Sequence, residues 1–344
     1  MLSRRQLLIL QAIVDDYVQT AEPIGSRSMS KREDISFSPA TIRNEMADLE
    51  EMGYIIKPHS SAGRIPSNKG YRLYVDHLLR PEPLQEHEIL DMEKFFTRRI
   101  SEVEAVMRKT AAVLSELTSY VSVVLGPEME HTRLKQLQML PLSGRQAIAI
   151  LVTDSGHVEN RTFDIPEQMN ASDLEKVVNI LNEQLVDTPI GQWEERLLTE
   201  TRRLLHRHVR HYEDMFGVLR DAFKTQRSDQ VFYGGMMNLM MQPEFQDVDR
   251  VRMIFEWLDR SENVHTLLSR TQEGLSVRIG RENDIEAFAD LSMITATYSI
   301  DGSTVGSLGV IGPTRMEYER VIRLIRQFAT GLSTSLTRKY RHDK

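Results

Sequence analysis

The fold of the N-terminal part of this chain follows from one stretch, SPATIRNEMADLEEMG, at residues 38–53. Ser38 can accept hydrogen bonds from the free amides at a helix start, and Pro39 at the first helical position loses no hydrogen bond. Apolar side chains then recur at helical spacing, at Ile42, Met46, Leu49 and Met52. Gly53 is the residue type that most often ends a helix in the left-handed conformation. The stretch therefore predicts a helix that buries one face.

The opposite face of this helix carries Thr41, Arg43, Asn44 and Ala47. Arginine can donate two hydrogen bonds to guanine, asparagine pairs in both directions with adenine, and small residues let a helix approach the bases closely. The same residues also suit an ordinary solvated helix face. The neighbouring elements have to decide between these two interpretations.

Two further helices are predicted upstream. Ser3 and Gln6 form a capping box, and apolar residues at helical spacing predict a helix over residues 4–20 with one buried face. Pro23 ends the intervening turn and begins a short second helix that extends to about Lys31.

Two short strands are predicted downstream. Residues 54–57 and 64–66 have strand character, and residues 58–63 between them are rich in turn formers. Three helices followed by a hairpin have the order of a winged helix-turn-helix. The third helix would then be the reader and the hairpin the wing.

The formal net charge of −7 hides a local cationic strip. Residues 1–80 carry a net charge of +1, and the rest of the chain carries −8. No residue between Glu51 and Asp76 is acidic, and the Lys and Arg side chains there are Lys57, Arg64, Lys69 and Arg72. On the wing they would neutralise phosphates beside the groove that the helix occupies, without reading sequence. The alternative is a charged sheet edge that prevents aggregation.

The remaining chain alternates strand-like and helical patterns. Short apolar or alternating runs predict strands at 120–125, 134–140, 146–152, 275–279, 293–300 and 304–311. Asp301 and Gly302 between the last two predict a tight hairpin. A mostly helical block lies between the two strand groups, and a helix over about 315–338 closes the chain. One sheet domain with a helical insertion explains this layout.

The N-terminal part resembles the heat-inducible transcription repressor family called HrcA in four stretches: FSPATIRNEMADLE at 37–50, SAGRIP at 61–66, GYR at 70–72 and YVD at 74–76. The opening RQLLIL at 5–10 and the later GSLGVIGP at 306–313 are similar too. Ser60 departs slightly, because Thr is more usual there, but the hydroxyl is retained.

The resemblance implies an α+β multidomain protein with an N-terminal winged helix-turn-helix and a GAF-like α/β sheet domain interrupted by a mainly helical inserted domain. The expected divisions are a winged-helix DNA-binding domain (1–80), a linker helix (81–100), the first GAF-like part (101–155), an inserted dimerisation domain (156–270) and the second GAF-like part (271–344).

The resemblance also implies a repressor of heat-shock chaperone operons, of the chaperonin and DnaK type, which is relieved by heat and assisted by the chaperonin. A single winged helix makes few base contacts, so we expect a homodimer on an inverted repeat in double-stranded DNA. We expect Arg43 and Asn44 at base edges and Ser38 and Thr41 near phosphate. The wing set is expected on the DNA backbone: Lys57, Arg64, Lys69 and Arg72.

Composition argues against several other classes. The absence of cysteine excludes disulfides, thiol catalysis and cysteine metal sites. No apolar run approaches the roughly 18 residues of a membrane span, and the start MLSRR has no signal-peptide features. We therefore expect a cytoplasmic protein that has no membrane partner.

No catalytic, metal or cofactor site is predicted. Among His206, His208 and His211, only the last two share a helix face, and the neighbouring arginines would repel a cation. The glycines of GSLGVIGP lie in a predicted strand and lack the order of a phosphate loop. The Met-rich run at 236–241 suits a core or a subunit interface.

Two other functions remain open from the sequence. The sheet domain could sense a metabolite in a ligand-responsive regulator. Alternatively, the basic wing could serve an interaction scaffold or an RNA-binding protein.

Overall fold

The computed structural model describes most of the chain, namely residues 2–59, 62–79, 103–127, 133–142, 145–154, 158–167, 169–209, 212–223, 231–269 and 273–342. The fold is mixed α and β and divides into two compact units. The first unit comprises residues 1–98, 107–125 and 231–333, and the second comprises 99–106, 126–230 and 334–344. The predicted linker helix at 81–100 lies outside the described residues.

The N-terminal segment, residues 2–79, has the predicted order of three helices and a hairpin. Its elements are α1 (Arg4–Thr20), α2 (Ser26–Met29), α3 (Pro39–Glu51), β1 (Ile55–Ile56), β2 (Ile65–Pro66) and α4 (Asn68–Leu73), which continues as a π-helical turn (Tyr74–Leu78). The capping box at Ser3 and Gln6 is present, and Gly53 has a φ of 79° just beyond α3.

The elements that follow are α5 (Val103–Thr118), β3 (Val121–Leu125), β4 (Leu134–Pro141), β5 (Gln146–Thr153), β6 (Val158–Asp164), α6 (Ala171–Leu185), α7 (Trp193–Arg196), α8 (Arg202–His208), α9 (Tyr212–Phe223), β7 (Val231–Gly234), α10 (Val248–Leu258), α11 (Ser261–Ser269), β8 (Leu275–Ile279), β9 (Leu291–Ile300), β10 (Ser303–Pro313) and α12 (Tyr318–His342). Short 3₁₀ and π turns lie at Ile190–Gln192, Leu197–Thr201, Met236–Leu239, Pro243–Phe245, Gly280–Asn283 and Glu286–Phe288.

The core of the N-terminal segment joins its helices to the hairpin. Apolar side chains from α1, α2, α3 and β1 are fully buried there, at Ile9, Leu10, Ile13, Met29, Ile42, Leu49 and Ile55. Ile42, Met46 and Leu49 of the stripe predicted on α3 therefore face inward, whereas Met52, just after the helix, is 38% exposed. The opposite face of the helix is left to solvent.

The second helix is shorter than predicted. Ile24 is extended and forms an antiparallel bridge with Arg64, whose N–H and C=O exchange hydrogen bonds of 2.8 and 2.9 Å with it. The residues just after Pro23 therefore complete the hairpin sheet and leave the helix only Ser26–Met29.

Lys69 and Arg72, predicted on the wing, lie instead on α4. Ser67 starts this helix, because its Oγ accepts a hydrogen bond of 3.1 Å from Gly70 N. A Ser followed by helix-compatible residues was the available signal. Only the short strands β1 and β2 and their connection form the hairpin, and residues 60–61 lie outside the described part.

A five-stranded antiparallel sheet with the order β7-β3-β10-β9-β8 occupies the rest of the first unit. The predicted hairpin is confirmed, because Asp301 and Gly302 have φ angles of 49° and 85° and join β9 directly to β10. Positive φ at both turn positions matches the right-handed twist of paired strands.

Helices cover both faces of this sheet. Successive strand residues point to opposite faces, so Val123 packs with Ile254 and Leu258 of α10, while Ser122 bonds to Ala111 O of α5. Tyr298 Oη donates to Leu125 O at 2.7 Å. Met107, Ala111 and Leu114 of α5 are fully buried within the same chain.

The second unit has its own sheet and core. Strands β4, β5 and β6 form an antiparallel meander, and α6 fastens to it through Asn182, which donates to Leu137 O at 2.8 Å and accepts from Leu137 N at 2.9 Å. Val177, Leu181 and Trp193 are buried against these strands.

The predicted domain boundaries at 155 and 270 differ from the observed units. Strands β4 and β5, predicted in the GAF-like domain, pair with β6 in the separate sheet. Conversely, β7, α10 and α11 belong to the first unit. The inserted unit thus covers mainly residues 126–230 and contains three strands. Short apolar runs do not state which sheet a strand joins, because pairing is decided by distant partners.

No helix in the described part of the chain is long and apolar enough to cross a membrane.

Candidate nucleic-acid interface

The start of α3 is organised by two hydroxyl groups. Ser38 Oγ accepts a hydrogen bond from Thr41 N at 3.2 Å and lies 2.9 Å from Thr41 Oγ1. Pro39 occupies the first helical position, as predicted. Both hydroxyls therefore sit at an exposed helix N-terminus, where free amides favour an anion.

The outer face of α3 carries exposed polar side chains. Arg43, Asn44 and Ala47 are exposed, whereas Ile42 and Met46 are buried. Within the residues that the structure describes, neither Arg43 nor Asn44 has a side-chain hydrogen bond or ion pair. The guanidinium and the amide are therefore available to an outside partner.

A contact that the sequence did not indicate fastens α3 to the start of α1. Arg5 Nη1 lies 3.3 Å from Glu45 Oε1, and its guanidinium lies 5.3 Å from the centre of the Phe37 ring. The Arg5–Glu45 ion pair thus joins α3 to α1. Because Glu45 is paired, its charge is partly neutralised beside Arg43.

The two lysines of the cationic strip have different surroundings. Lys57 is exposed and has no bonded partner in the described part of the chain. Lys69 Nζ donates to Met52 O at 2.8 Å and lies 4.4 Å from the centre of the Tyr54 ring. Lys69 therefore caps the C-terminus of α3, while its exposed ammonium keeps further donors.

Arg64 connects the hairpin to α3. Its Nε and Nη2 lie 2.8 and 2.6 Å from Glu50 Oε2, and its side chain is 22% exposed. Beside Arg64, a Cβ on Gly63 would lie 2.5 Å from Ile24 O, so the hairpin backbone passes close to the residues that precede α2. The wing is therefore held against the helix.

Arg72 is engaged away from α3. Its Nε donates to Glu282 Oε1 at 2.9 Å, its Nη2 to Val277 O at 2.7 Å and its Nη1 to Asp76 at 3.2 Å. The hydrogen bond to Glu282 raises the pKa of Arg72 above its usual value. The structure thus places Ser38, Thr41, Arg43 and Asn44 on one helix face and gives Arg72 a different environment.

A model of the family described as HrcA protein C terminal domain matches residues 104–322. The protein named heat-inducible transcription repressor HrcA from Halalkalibacterium halodurans is 52% identical over 343 residues, which cover 100% of both chains. The protein of the same name from Shouchella clausii is 51% identical over 338 residues, which cover 98% of this chain and 99% of the relative.

The chain belongs to the HrcA family of heat-inducible transcription repressors. A transcription repressor is a regulatory protein, which is not a class of enzyme. A crystal structure described as that of a hypothetical protein matches this chain with a TM-score of 0.70, at 24% identity, over 98% of this chain and 100% of that one. At 24% identity this similarity shows that the HrcA-family chain has the same fold as that protein.

The sequence of this HrcA-family chain offered three other candidate stretches: the histidines at 206–211, the glycines of β10 and the Met-rich run at 236–241. The described residues contain no group of three His, Asp or Glu side chains that could hold a metal, and His211 is not among them. Gly312 lies in β10, where a Cβ would meet Tyr120 Cδ1 at 2.7 Å. In the Met-rich run, Leu239 is buried but Met241 is 81% exposed.

Proposed function

We propose that this chain is a sequence-specific DNA-binding repressor of heat-shock chaperone operons, of the chaperonin and DnaK type, and that it binds an inverted repeat as a homodimer. The exposed face of α3 is the observation that supports this proposal. Its guanidinium and amide at Arg43 and Asn44 are unbonded within the described residues, whereas Ile42, Met46 and Leu49 bury the opposite face of the helix.

The order of the elements supports a winged helix. Three helices precede an antiparallel hairpin, and the hairpin is joined to α3 through Arg64 and Glu50. In such a domain the third helix lies in the major groove and the hairpin follows the backbone beside it. We assign the GAF-like domain of the family to the five-stranded sheet and its helices.

The side chains of α3 fit direct reading of bases. Arg43 would donate two hydrogen bonds to guanine, and Asn44 would pair with the donor and acceptor edge of adenine. Ser38 and Thr41 lie at the helix N-terminus, where hydroxyls and free amides suit a phosphate. These four residues would therefore combine base reading with a fixed register.

Lys57 and Lys69 are the backbone contacts that the geometry favours. Both ammonium groups are exposed and sit on segments adjoining the end of α3. Each phosphate neutralised releases counterions and strengthens binding in a salt-dependent way. Arg64 and Arg72, which are bonded to Glu50 and Glu282, would contribute mainly by holding the elements in place.

Dimerisation follows from the small reading surface. One helix offers two base-reading side chains, and each good bidentate pair discriminates by about 1–3 kcal/mol. Two copies related by a two-fold axis double that discrimination and require an inverted repeat. The HrcA resemblance assigns the dimer contact to the inserted unit.

Regulation by heat and by the chaperonin is proposed from the family. A repressor of marginal stability loses its folded population steeply on heating. Operator binding after a heat pulse should recover faster with purified chaperonin and ATP than with ATP alone. Equal recovery in both samples would remove the chaperonin from the proposal.

Selection of bound duplexes from a random pool tests the DNA proposal directly. The full-length protein should enrich an inverted repeat, and that duplex should compete better than an RNA hairpin or a random duplex at moderate salt. Recovery of no common sequence, or preferential binding of the hairpin, would overturn the proposal. The symmetry of the enriched site also reports the number of subunits.

A further inference from the structure

The N-terminal segment is bonded to the five-stranded sheet at a junction within the first unit. On one side of it, Arg72 of α4 donates to Val277 O of β8 at 2.7 Å and to Glu282 Oε1 at 2.9 Å. Its side chain is 31% exposed. A guanidinium that binds a carboxylate and a carbonyl together resists reorientation, because its donors form a planar fork.

A second arginine makes the reciprocal contact. Arg315, in the turn after β10, donates from Nη1 to Val18 O in the last turn of α1 at 3.2 Å. Its other nitrogens bond to Gln242 and Glu244 beside the sheet, and the side chain is only 13% exposed. Each arginine therefore reaches across the junction to a backbone carbonyl.

Two further close approaches link the N-terminal segment to the sheet unit. The ring centres of Tyr71 and Tyr318 are 5.8 Å apart, and Tyr71 is 2% exposed. Gly280 has a φ of 56° and approaches Asn68 so closely that a Cβ there would clash with the Asn68 amide. Burial raises the pKa of Tyr71, so its hydroxyl stays neutral. The junction is a packed interface rather than a tether.

The closed junction leaves the reading face of α3 open. Arg43 and Asn44 are exposed while both arginine contacts are made. The junction therefore does not block DNA from this face. Its effect would fall on the direction in which each reading helix points.

We propose that Arg72 and Arg315 are positioning residues that hold the N-terminal segment at a fixed angle on the five-stranded sheet and thereby restrict the half-site spacing that the homodimer accepts. This inference rests on the proposed function. Each added base pair moves a half-site by about 3.4 Å and rotates it by about 35°. A rigid junction penalises that displacement, whereas a flexible one tolerates it.

The competing role for Arg72 is the phosphate contact predicted from the sequence. It makes a different prediction, because loss of a phosphate contact weakens every duplex equally and reduces the salt dependence. Glu282 separates the two roles. Replacing Glu282 with glutamine weakens the same contact, because the negative charge and one of the two acceptor oxygens are lost, while the positive charge of Arg72 is retained.

The test measures the binding of full-length protein to synthetic duplexes. These carry the selected inverted repeat, the same repeat with its spacer changed by one or two base pairs, or one half-site only. The variants are Glu282→Gln and Arg315→Gln, with Arg326→Gln on the exposed side of α12 as the matched control. For both junction variants we expect the ratio of affinities for the best spacer and for the altered spacers to fall by a factor on the order of ten. Half-site affinity and the control should match the wild type.

Two outcomes would overturn the inference. One is a wild-type spacing profile in both junction variants. The other is an Arg72→Gln variant that binds half-site and random duplexes equally weakly while Glu282→Gln behaves as wild type, which would assign Arg72 to phosphate.

Amide hydrogen exchange tests the junction without DNA. In folded full-length protein, Tyr71 N, bonded to Ser67 O in the wild type, should exchange about tenfold faster in Glu282→Gln. Unchanged exchange would also count against the junction. If the wild type binds no half-site, the proposed function fails, yet exchange still decides whether the junction is rigid.

Discussion

Replacing Arg43 with alanine should abolish the preference of this repressor for its operator. The side chain is exposed on a helix and unbonded within the described residues, so alanine costs little folding stability there. A bidentate arginine–guanine contact discriminates by about 1–3 kcal/mol. Because the proposed homodimer carries two copies, its operator complex should lose about 2–6 kcal/mol, which is roughly 30-fold to 10⁴-fold in affinity.

Random duplex should respond far less. No specific base contact forms there, so the loss is limited to the long-range attraction of one charge per subunit, on the order of a few-fold. Fluorescence anisotropy with labelled operator and random duplex at one fixed salt concentration measures both affinities. Thermal unfolding of the same samples checks that the fold is intact.

Two matched variants sharpen this measurement. Arg43→Lys retains the charge but not the planar pair of donors, so it should restore random-duplex affinity and leave operator preference low. Arg326→Ala removes an exposed arginine on α12 and should match the wild type on both duplexes. Equal losses on operator and random duplex in Arg43→Ala would refute base reading by this residue.

Three further predictions concern the wing and the sheet. Lys57→Ala should weaken binding to operator and random duplex equally, and a salt titration should show the slope of log affinity against log salt reduced by about 0.9 per subunit. An unchanged slope would contradict a phosphate contact. Gly63→Ala should lower the free energy of unfolding by about 1–3 kcal/mol, because its Cβ would meet the Ile24 carbonyl at 2.5 Å. Gly217→Ala should have no such effect, because no atom lies within 4 Å of its new Cβ. Similar melting curves for the two variants would argue against a close hairpin contact. Burial raises the pKa of Tyr233 to about 12, so its contribution to stability is complete below pH 10 and is lost as pH rises toward 12. The difference in melting temperature between wild type and Tyr233→Phe should therefore shrink over that pH range. A constant difference would contradict the raised pKa.

Local signals predicted α1, α3 and the hairpin between β9 and β10. Ser38, Pro39 and Gly53 act through their own backbone geometry, and the apolar spacing of α3 specifies which face turns inward. The Asp301–Gly302 hairpin was predictable for the same reason, since two residues with positive φ define the turn. None of these features depends on a distant partner.

Features that depend on distant partners were predicted incorrectly or not at all. The sequence patterns of β4 and β5 predict strands without specifying their partners, and these strands pair with β6 in a separate sheet from β3. The cationic strip was predicted as one phosphate-binding set. The sequence did not indicate that Arg64 pairs with Glu50, or that Arg72 pairs with Glu282, 210 positions away.

The sequence by itself determined where α1 and α3 begin and end, and which side chains α3 presents to solvent, because capping and periodicity act within a few residues. Only the tertiary structure decided which cations stay free, because a guanidinium binds whichever carboxylate the fold brings near. Lys57 is left exposed by that selection, and Arg72 is committed to the junction. The same selection separated the strands into two sheets, since hydrogen-bond partners far apart in sequence meet only when the chain folds.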